Sequence, residues 1–481
     1  MTEQVAVVKE LAVNGTIAVP VGRSGELPTV LVEALVEAGV AVDVEAIVRR
    51  LGLGKPADLA RVLVADGPEL VFVCIADPRP GLAFDHVRQA AMTAARHCRS
   101  EQVFNAIGSW DDNLGSAEAA AEGWTLGAYA YDPDWTVADL IARLDPPGVT
   151  HWRADEVTQA VALGAAANLA RDLINTPPGQ LVPTRLAQIC QELGQAFDFE
   201  VLVHDDAVLE RDGFGGLIGV GRGSSNPPVL IELRRGSSGP HTALVGKGIT
   251  FDAGGLSLKP TRGMLTMKAD MSGAAAVLGA FVGLAAVGSD LPVRGYLACA
   301  ENMPGPDAVR IGDVLVHRNG RTVEVTDADC EGRLVVADAL AFAVEAGPDV
   351  LVDLATLTSS NGLGPDIWAG FGSDSVVSEV LAAGRESGEP GWQMPLWQPY
   401  REGLTSDVAD VRNFDPDATQ MFGGITAALY LEPFTAGLPW AHIDLGLTVM
   451  RPAADRAWAA GAYGRGVRLL TRFLLGRETG A

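Results

Sequence analysis

Short apolar runs alternate with longer stretches of helical spacing along most of the chain. Up to about residue 145, strand-like runs at Leu70–Ile75 and Gln102–Ile107 alternate with helical ones at Val30–Ala38 and Val87–Ala95. A junction rich in Pro and Asp follows, Asp145-Pro-Pro-Gly148. Next comes a helical pattern from Asp155 to Ile174, halted by Asn175-Thr-Pro-Pro-Gly179. Beyond it, strands are expected at Val229–Leu233, Ala243–Ile249, Val293–Cys299, Val350–Leu354 and Trp440–Asp444. Helices are expected between several of them, at Ala274–Ala286, Leu334–Glu345 and Ile425–Leu431.

Strands alternating with helices predict an α/β fold with a central, mostly parallel sheet covered on both faces. Ligand sites in such sheets lie beyond the carboxyl ends of the strands. At 481 residues the chain is too long for one ordinary core. The expected division is a smaller N-terminal α/β domain (1–150), a connecting helix (151–176) and a larger C-terminal α/β domain (177–481).

Charge and cysteine usage narrow the function. A formal net charge of −24 opposes sequence-independent attraction to nucleic acid or an anionic membrane. The five cysteines are scattered, with no CxxC pair, which suits a reducing compartment. The opening Met-Thr-Glu-Gln leads into no signal-peptide pattern. The most apolar stretch, Gly273–Gly288, is shorter than the roughly 20 residues that span a bilayer. A cytoplasmic protein is expected.

Chemistry concentrates in two segments. Lysine occurs only at positions 9, 55, 247, 259 and 268, so three of five fall close together. They lie in Val245-Gly-Lys247-Gly-Ile-Thr-Phe-Asp252-Ala-Gly-Gly-Leu-Ser-Leu-Lys259 and in Met267-Lys-Ala-Asp270. This segment starts as a strand, breaks at Gly254-Gly255 and enters a helix near Ser272, placing charged groups just past a strand end. Lys/Asp pairs in loops are commonly surface ion pairs, but a second cluster changes that reading. It is Asp327-Ala-Asp329-Cys-Glu331-Gly-Arg333, where an extended chain would project Asp329 and Glu331 to one side. Carboxylates held close repel unless a proton or cation lies between them. Asp252, Asp270, Asp329 and Glu331 suffice for two divalent cations such as Zn²⁺ or Mn²⁺ and a shared activated water. His442 reads as a packing residue, and alternation turns Cys330 away from its neighbours. No P-loop, dinucleotide loop or nucleophile elbow is present.

At these segments the sequence resembles the leucyl aminopeptidase (cytosol aminopeptidase) family, the two signatures being 245–260 and 327–334. Similarity extends through Arg171–Pro178, Ala300–Pro304, Asp353–Thr358 and Trp440–Asp444, covering roughly 155–481. The resemblance implies a metallo-exopeptidase acting on peptides with a free N-terminus. Asp252 and Glu331 would bridge two metals (Zn or Mn), Asp329 would complete the tighter site, and Lys247, as a neutral amine, and Asp270 the exchangeable one. Lys259 would stabilise the oxyanion and Arg333 would hold a bicarbonate acting as general base. A homohexamer is implied as well, while the charge and composition read above lead to the expectation of no nucleic-acid or membrane partner.

Some positions depart from the family. Asp327, Ala328 and Cys330 stand where Asn, Thr and Ala are usual, and Asp327 adds a negative charge near the site. In the expected side-chain pocket Met267 and Thr356 match, whereas Ser359 replaces Gly and Gly446 replaces Ala. Asn413–Phe422 replaces a Gly-rich loop. These differences keep open a narrow two-metal dipeptidase or amidohydrolase, and a member whose role is binding or regulatory.

Overall fold

A computed structural model describes residues 15–478 except 23–25, 41–42, 44–45, 47–49, 51–52, 54–57, 65–67, 76, 78–80, 99, 145–148, 237–238, 359–362 and 417–422. The expected junction at 145–148 and the position of Ser359 therefore lie outside the described residues.

Five strands form the first sheet: β1 (Thr16–Val21), β2 (Leu59–Leu63), β3 (Glu69–Cys74), β4 (Val103–Asn105) and β5 (Val149–His151), in the order β2-β3-β1-β4-β5. All pair in parallel except β2 with β3. Alternate residues of β1 and β3 pack into two apolar layers. Ile17, Val19, Leu70 and Phe72 face one side; Ala18, Val71 and Val73 face the helices 85–97 and 114–127. The run expected to be extended from Gln102 to Ile107 ends as strand at Asn105, whose Oδ1 accepts the Ile107 N–H (3.2 Å) and starts a 3₁₀ turn.

The second sheet has eight strands: β6 (Glu200–His204), β7 (Val229–Arg235), β8 (Thr242–Asp252), β9 (Val293–Asn302), β12 (Val350–Ala355), β13 (Trp368–Gly372), β14 (Gly391–Gln393) and β16 (Trp440–Asp444). Their order is β14-β13-β16-β12-β8-β9-β7-β6. The central four pair in parallel; β13 with β16, β9 with β7 and β7 with β6 are antiparallel. Helices 158–175, 183–197, 272–286 and 467–478 cover one face, and helices 332–345 and 423–431 the other. A small side sheet joins β10 (Val314–Val316), β11 (Thr322–Glu324) and β15 (Val411–Arg412).

The helical pattern of 155–174 appears as helix 158–175, which packs on helices 272–286 and 114–127 and so belongs to the core. A buried charge cluster also ties the two sheets' layers together. Glu122 Oε1 accepts from Arg88 Nε (2.7 Å), Oε2 accepts from Arg472 Nη2 (2.8 Å), and Arg468 reaches both Glu122 and Glu389.

Candidate active site

β8 pairs with β12 only as far as Gly246 but follows β9 to Asp252, so its last residues run beyond the parallel centre of the sheet. Lys247 and Asp252 are the charged residues of that extension, and both are buried. The chain then reverses at Gly254 (φ +86°) and Gly255 (φ +56°), a region open to glycine and strained for other residues. Two hydrogen bonds close the reversal: Gly254 N donates to Asp252 Oδ1 (2.8 Å) and Lys259 N to Ala253 O (2.9 Å). Lys259 is thereby returned to Asp252, with Nζ 2.7 Å from Oδ2.

Asp270 follows the single turn Met267–Ala269 at the entry to helix 272–286. Asp329 and Glu331 do meet, and the segment that brings them together is a turn rather than a strand. Asp327 Oδ1 accepts the Asp329 N–H (2.9 Å) and Asp327 O that of Cys330 (3.3 Å), curling the segment before Glu331 leads into helix 332–345. The extra acid at Asp327 thus serves as the acceptor that shapes the turn.

Oxygens of Asp252, Asp329 and Glu331 lie within 4.8 Å of one another. Lys247 Nζ joins Asp270 to this group, 2.9 Å from Asp270 Oδ1 and 2.7 Å from Glu331 Oε1, while donating to Thr356 O (3.0 Å). A Cβ at Gly332 would stand 2.6 Å from Lys247 Nζ, so only glycine leaves that amine its place. Lys259 also pairs with Asp329. The third lysine of the window, Lys268, turns away and donates to Asn175 O (2.5 Å), near the carboxyl end of helix 158–175.

Burial penalises the charges here, and the neighbours decide the outcome. Burial disfavours the Lys247 ammonium, but Asp270, Glu331 and Asp252 outweigh it and raise its pKa; Lys259 is raised in the same way by Asp252 and Glu331. Burial and then the other carboxylates push Asp329 up to about 7, and Asp270 and Glu331 are raised as well. Four carboxylates thus face two ammonium groups. Asp270 Oδ2 and Glu331 Oε2 are buried with no hydrogen-bond partner among the described residues. Crowded, desolvated carboxylates with unused oxygens fit divalent cations. Cys330 is outside the ligand group, and burial pushes its thiol up to about 12, against a thiolate role.

Arg333 is buried; Nη1 donates to Asn413 O (2.8 Å), and Nε has no partner among the described residues. Thr356, expected in the side-chain pocket, donates its hydroxyl to Asp270 Oδ1 (2.7 Å). Asp444 Oδ1 accepts from Leu357 N and Gly446 N, both at 3.1 Å, which ties the Thr356 and Gly446 segments together. His442 is fully buried, bonded to Asp353 (2.6 Å) and stacked on Phe371 and Trp440, so it packs.

Three supporting residues lie outside the candidate set. Asn302 Nδ2 donates to Asp252 Oδ1 (2.8 Å) and Ala328 O (3.0 Å), Asp444 joins the Leu357 and Gly446 segments, and Asn413 Nδ2 donates to Asp327 O and Cys330 O. Asn302 and Asp444 lie in segments that carry the family resemblance, which was the available signal.

A model of the cytosol aminopeptidase family, catalytic domain, matches residues 168–471. A probable cytosol aminopeptidase of Leifsonia xyli subsp. xyli is 40% identical, over 94% of this chain and 93% of its own. One of Roseiflexus castenholzii is 42% identical over 74% and 76%. Among solved structures, the bottromycin maturation enzyme BotP in complex with Mn superposes with a TM-score of 0.83. It is 35% identical, covering 96% of this chain and 99% of that one.

Proposed function

The chain belongs to the cytosol aminopeptidase family and is a metal-dependent aminopeptidase, and we propose that Lys247, Asp252, Asp270, Asp329 and Glu331 hold its two cations. The observation that carries this reading is the pair of buried oxygens, Asp270 Oδ2 and Glu331 Oε2, without hydrogen-bond partners among the described residues, beside the cluster of Asp252, Asp329 and Glu331 that Lys247 joins to Asp270. Divalent cations bound there, Mn²⁺ or Zn²⁺, would polarise the scissile carbonyl and supply a nucleophilic water near neutral pH.

The protein's own groups perform the remaining work. Asp252 and Glu331 would serve both cations, Asp329 would help to hold one, and Asp270 with Lys247 the other. Lys247 is held as an ammonium by Asp270 and Glu331, so its service as a ligand requires that it give up a proton. Lys259, fixed by the Gly254-Gly255 reversal, directs its ammonium at the oxygen that gains charge as the carbonyl is attacked. Arg333 Nε, buried and without a partner among the described residues, suits an anion, and bicarbonate is our assignment. Held by Arg333, such an anion would supply general acid–base chemistry beside the scissile bond. Met267, Thr356 and Gly446 would shape the pocket for the first side chain, where the family resemblance also assigns position 359.

The substrates are peptides with a free amino terminus, the family resemblance supports a cytoplasmic homohexamer, and the order of strands and helices in the sequence supports the division at 1–150, 151–176 and 177–481. Among the described residues no helix is long and apolar enough to cross a membrane. A dipeptidase or binding role is not favoured.

The test is hydrolysis of a panel of aminoacyl-p-nitroanilides with Mn²⁺ or Zn²⁺, with a chelator, and with N-acetylated controls. Cleavage that needs both metal and a free amine is expected. Turnover that survives chelation would overturn the assignment.

A further inference from the structure

Asn413 is the most heavily bonded side chain around the acid cluster, and it contacts none of the four carboxylates directly. β11 and β15 run in parallel, pairing Val323 with Val411 and Glu324 with Arg412, and Asn413 N donates to Glu324 O (3.0 Å). That register sets the fully buried Asn413 beside the turn that leaves β11. Its Oδ1 accepts from Thr326 N (2.8 Å), Thr326 Oγ1 (3.2 Å) and Asp327 N (3.3 Å). Its Nδ2 donates to Asp327 O (2.7 Å) and Cys330 O (3.3 Å). Its own carbonyl accepts from Arg333.

One side chain therefore holds the backbone on both sides of Asp329, and the same residue fixes Arg333. The task needs an amide. Aspartate offers no donors to the two carbonyls, and alanine removes the acceptor of two N–H groups and the donor to two carbonyls of a half-buried turn, leaving Asp327 O only the Cys330 N–H. Through this turn the position of Asp329 and Glu331 depends on a residue remote in sequence.

We propose that Asn413 is a positioning residue for metal retention, fixing the 326–331 turn so that Asp329 and Glu331 converge on a shared cation. The inference rests on the two-cation reading above. Groups that orient metal ligands without touching the metal typically change affinity or activity by about 10- to 100-fold when removed.

The test compares the full-length parent with Asn413→Ala, Asn413→Asp and the milder Thr326→Val, which removes only the hydroxyl bonded to Asn413 Oδ1 and Phe414 O. Chelated protein is titrated with Mn²⁺ by calorimetry, melted in chelator, and assayed on leucine p-nitroanilide at saturating Mn²⁺. Asn413→Ala and Asn413→Asp are expected to bind Mn²⁺ about 10- to 100-fold more weakly. Lower kcat with KM within about twofold should accompany this, because the substrate pocket is left in place. Thr326→Val should move the same way by less, and it carries the test if the Asn413 variants do not fold. A lower melting temperature with parent-like Mn²⁺ affinity and kcat would show a purely structural role and overturn the inference. A parent that takes up no Mn²⁺ would overturn the two-cation reading along with it.

Discussion

Lys247 Nζ lies 2.7 Å from Glu331 Oε1, a buried ammonium against a buried carboxylate, one midway along β8 and the other at the entry to helix 332–345. Each compensates the other, yet the carboxylates around them outnumber the lysines. The cluster is thus built with a surplus of negative charge whose natural complement is a cation.

That surplus predicts an unusual stability signature for Glu331→Gln. In chelator the change relieves repulsion among carboxylates, so the melting temperature should equal or exceed that of the parent. Addition of Mn²⁺ should then stabilise the parent by about 2.7 kcal/mol at a hundredfold excess over Kd, and the variant scarcely at all. Turnover should be lost. A variant that Mn²⁺ stabilises as much as the parent would remove Glu331 from the ligand set.

Lys259→Met separates binding from chemistry. Lys259 pairs with Asp252 and Asp329, so its loss leaves the acids more attractive to a cation and Mn²⁺ binding should persist or tighten. The developing oxyanion loses a donor, and kcat should fall about 10²- to 10³-fold. Steady-state kinetics beside a Mn²⁺ titration decide the point, and a parent-like kcat would refute the role.

The charged members of the site were legible because they sit in two contiguous segments, each following a strand, and because lysine is so scarce. The central strands were legible for a related reason: buried parallel strands read as unbroken apolar runs, and Trp440–Asp444 matches β16 residue for residue. What stayed hidden depends on contacts between distant segments. Lys268 looks like its two neighbours in sequence, and only the placement of Asn175 O draws it away. The turn at 328–329 is set by Asp327 and Asn413, which no local spacing reveals. β13 and β14 extend the sheet with short segments whose glycines and tryptophans mask any alternation.

Asp327→Asn tests what the departure from the family's usual asparagine contributes. Asparagine retains an Oδ1 that can accept the Asp329 N–H, so the turn should survive and the melting temperature in chelator should not change. Only a charge is removed. Mn²⁺ affinity should fall by less than about tenfold, and more at low ionic strength than at high. Equal affinities at low salt would show that the charge is without effect.

The last prediction concerns the charge cluster that joins the first sheet's helices to helix 467–478. Burial alone would push the Glu122 carboxyl up, but Arg88, Arg468 and Arg472 outweigh it and hold its pKa below the usual range. A carboxyl depressed in the folded state contributes stability that is complete above its unfolded pKa, about 4.3. That contribution fades as pH falls below this value towards the folded one. The parent should therefore lose stability between about pH 5 and pH 3 more steeply than Glu122→Gln, which has no carboxylate to protonate. At neutral pH the variant should be less stable by about 3–5 kcal/mol, because Arg88 and Arg472 keep their charges in a partly or wholly desolvated setting without Glu122. Denaturant melts of both proteins across this pH range provide the measurement. Parallel pH profiles would mean that Glu122 does not carry its charge in the folded protein.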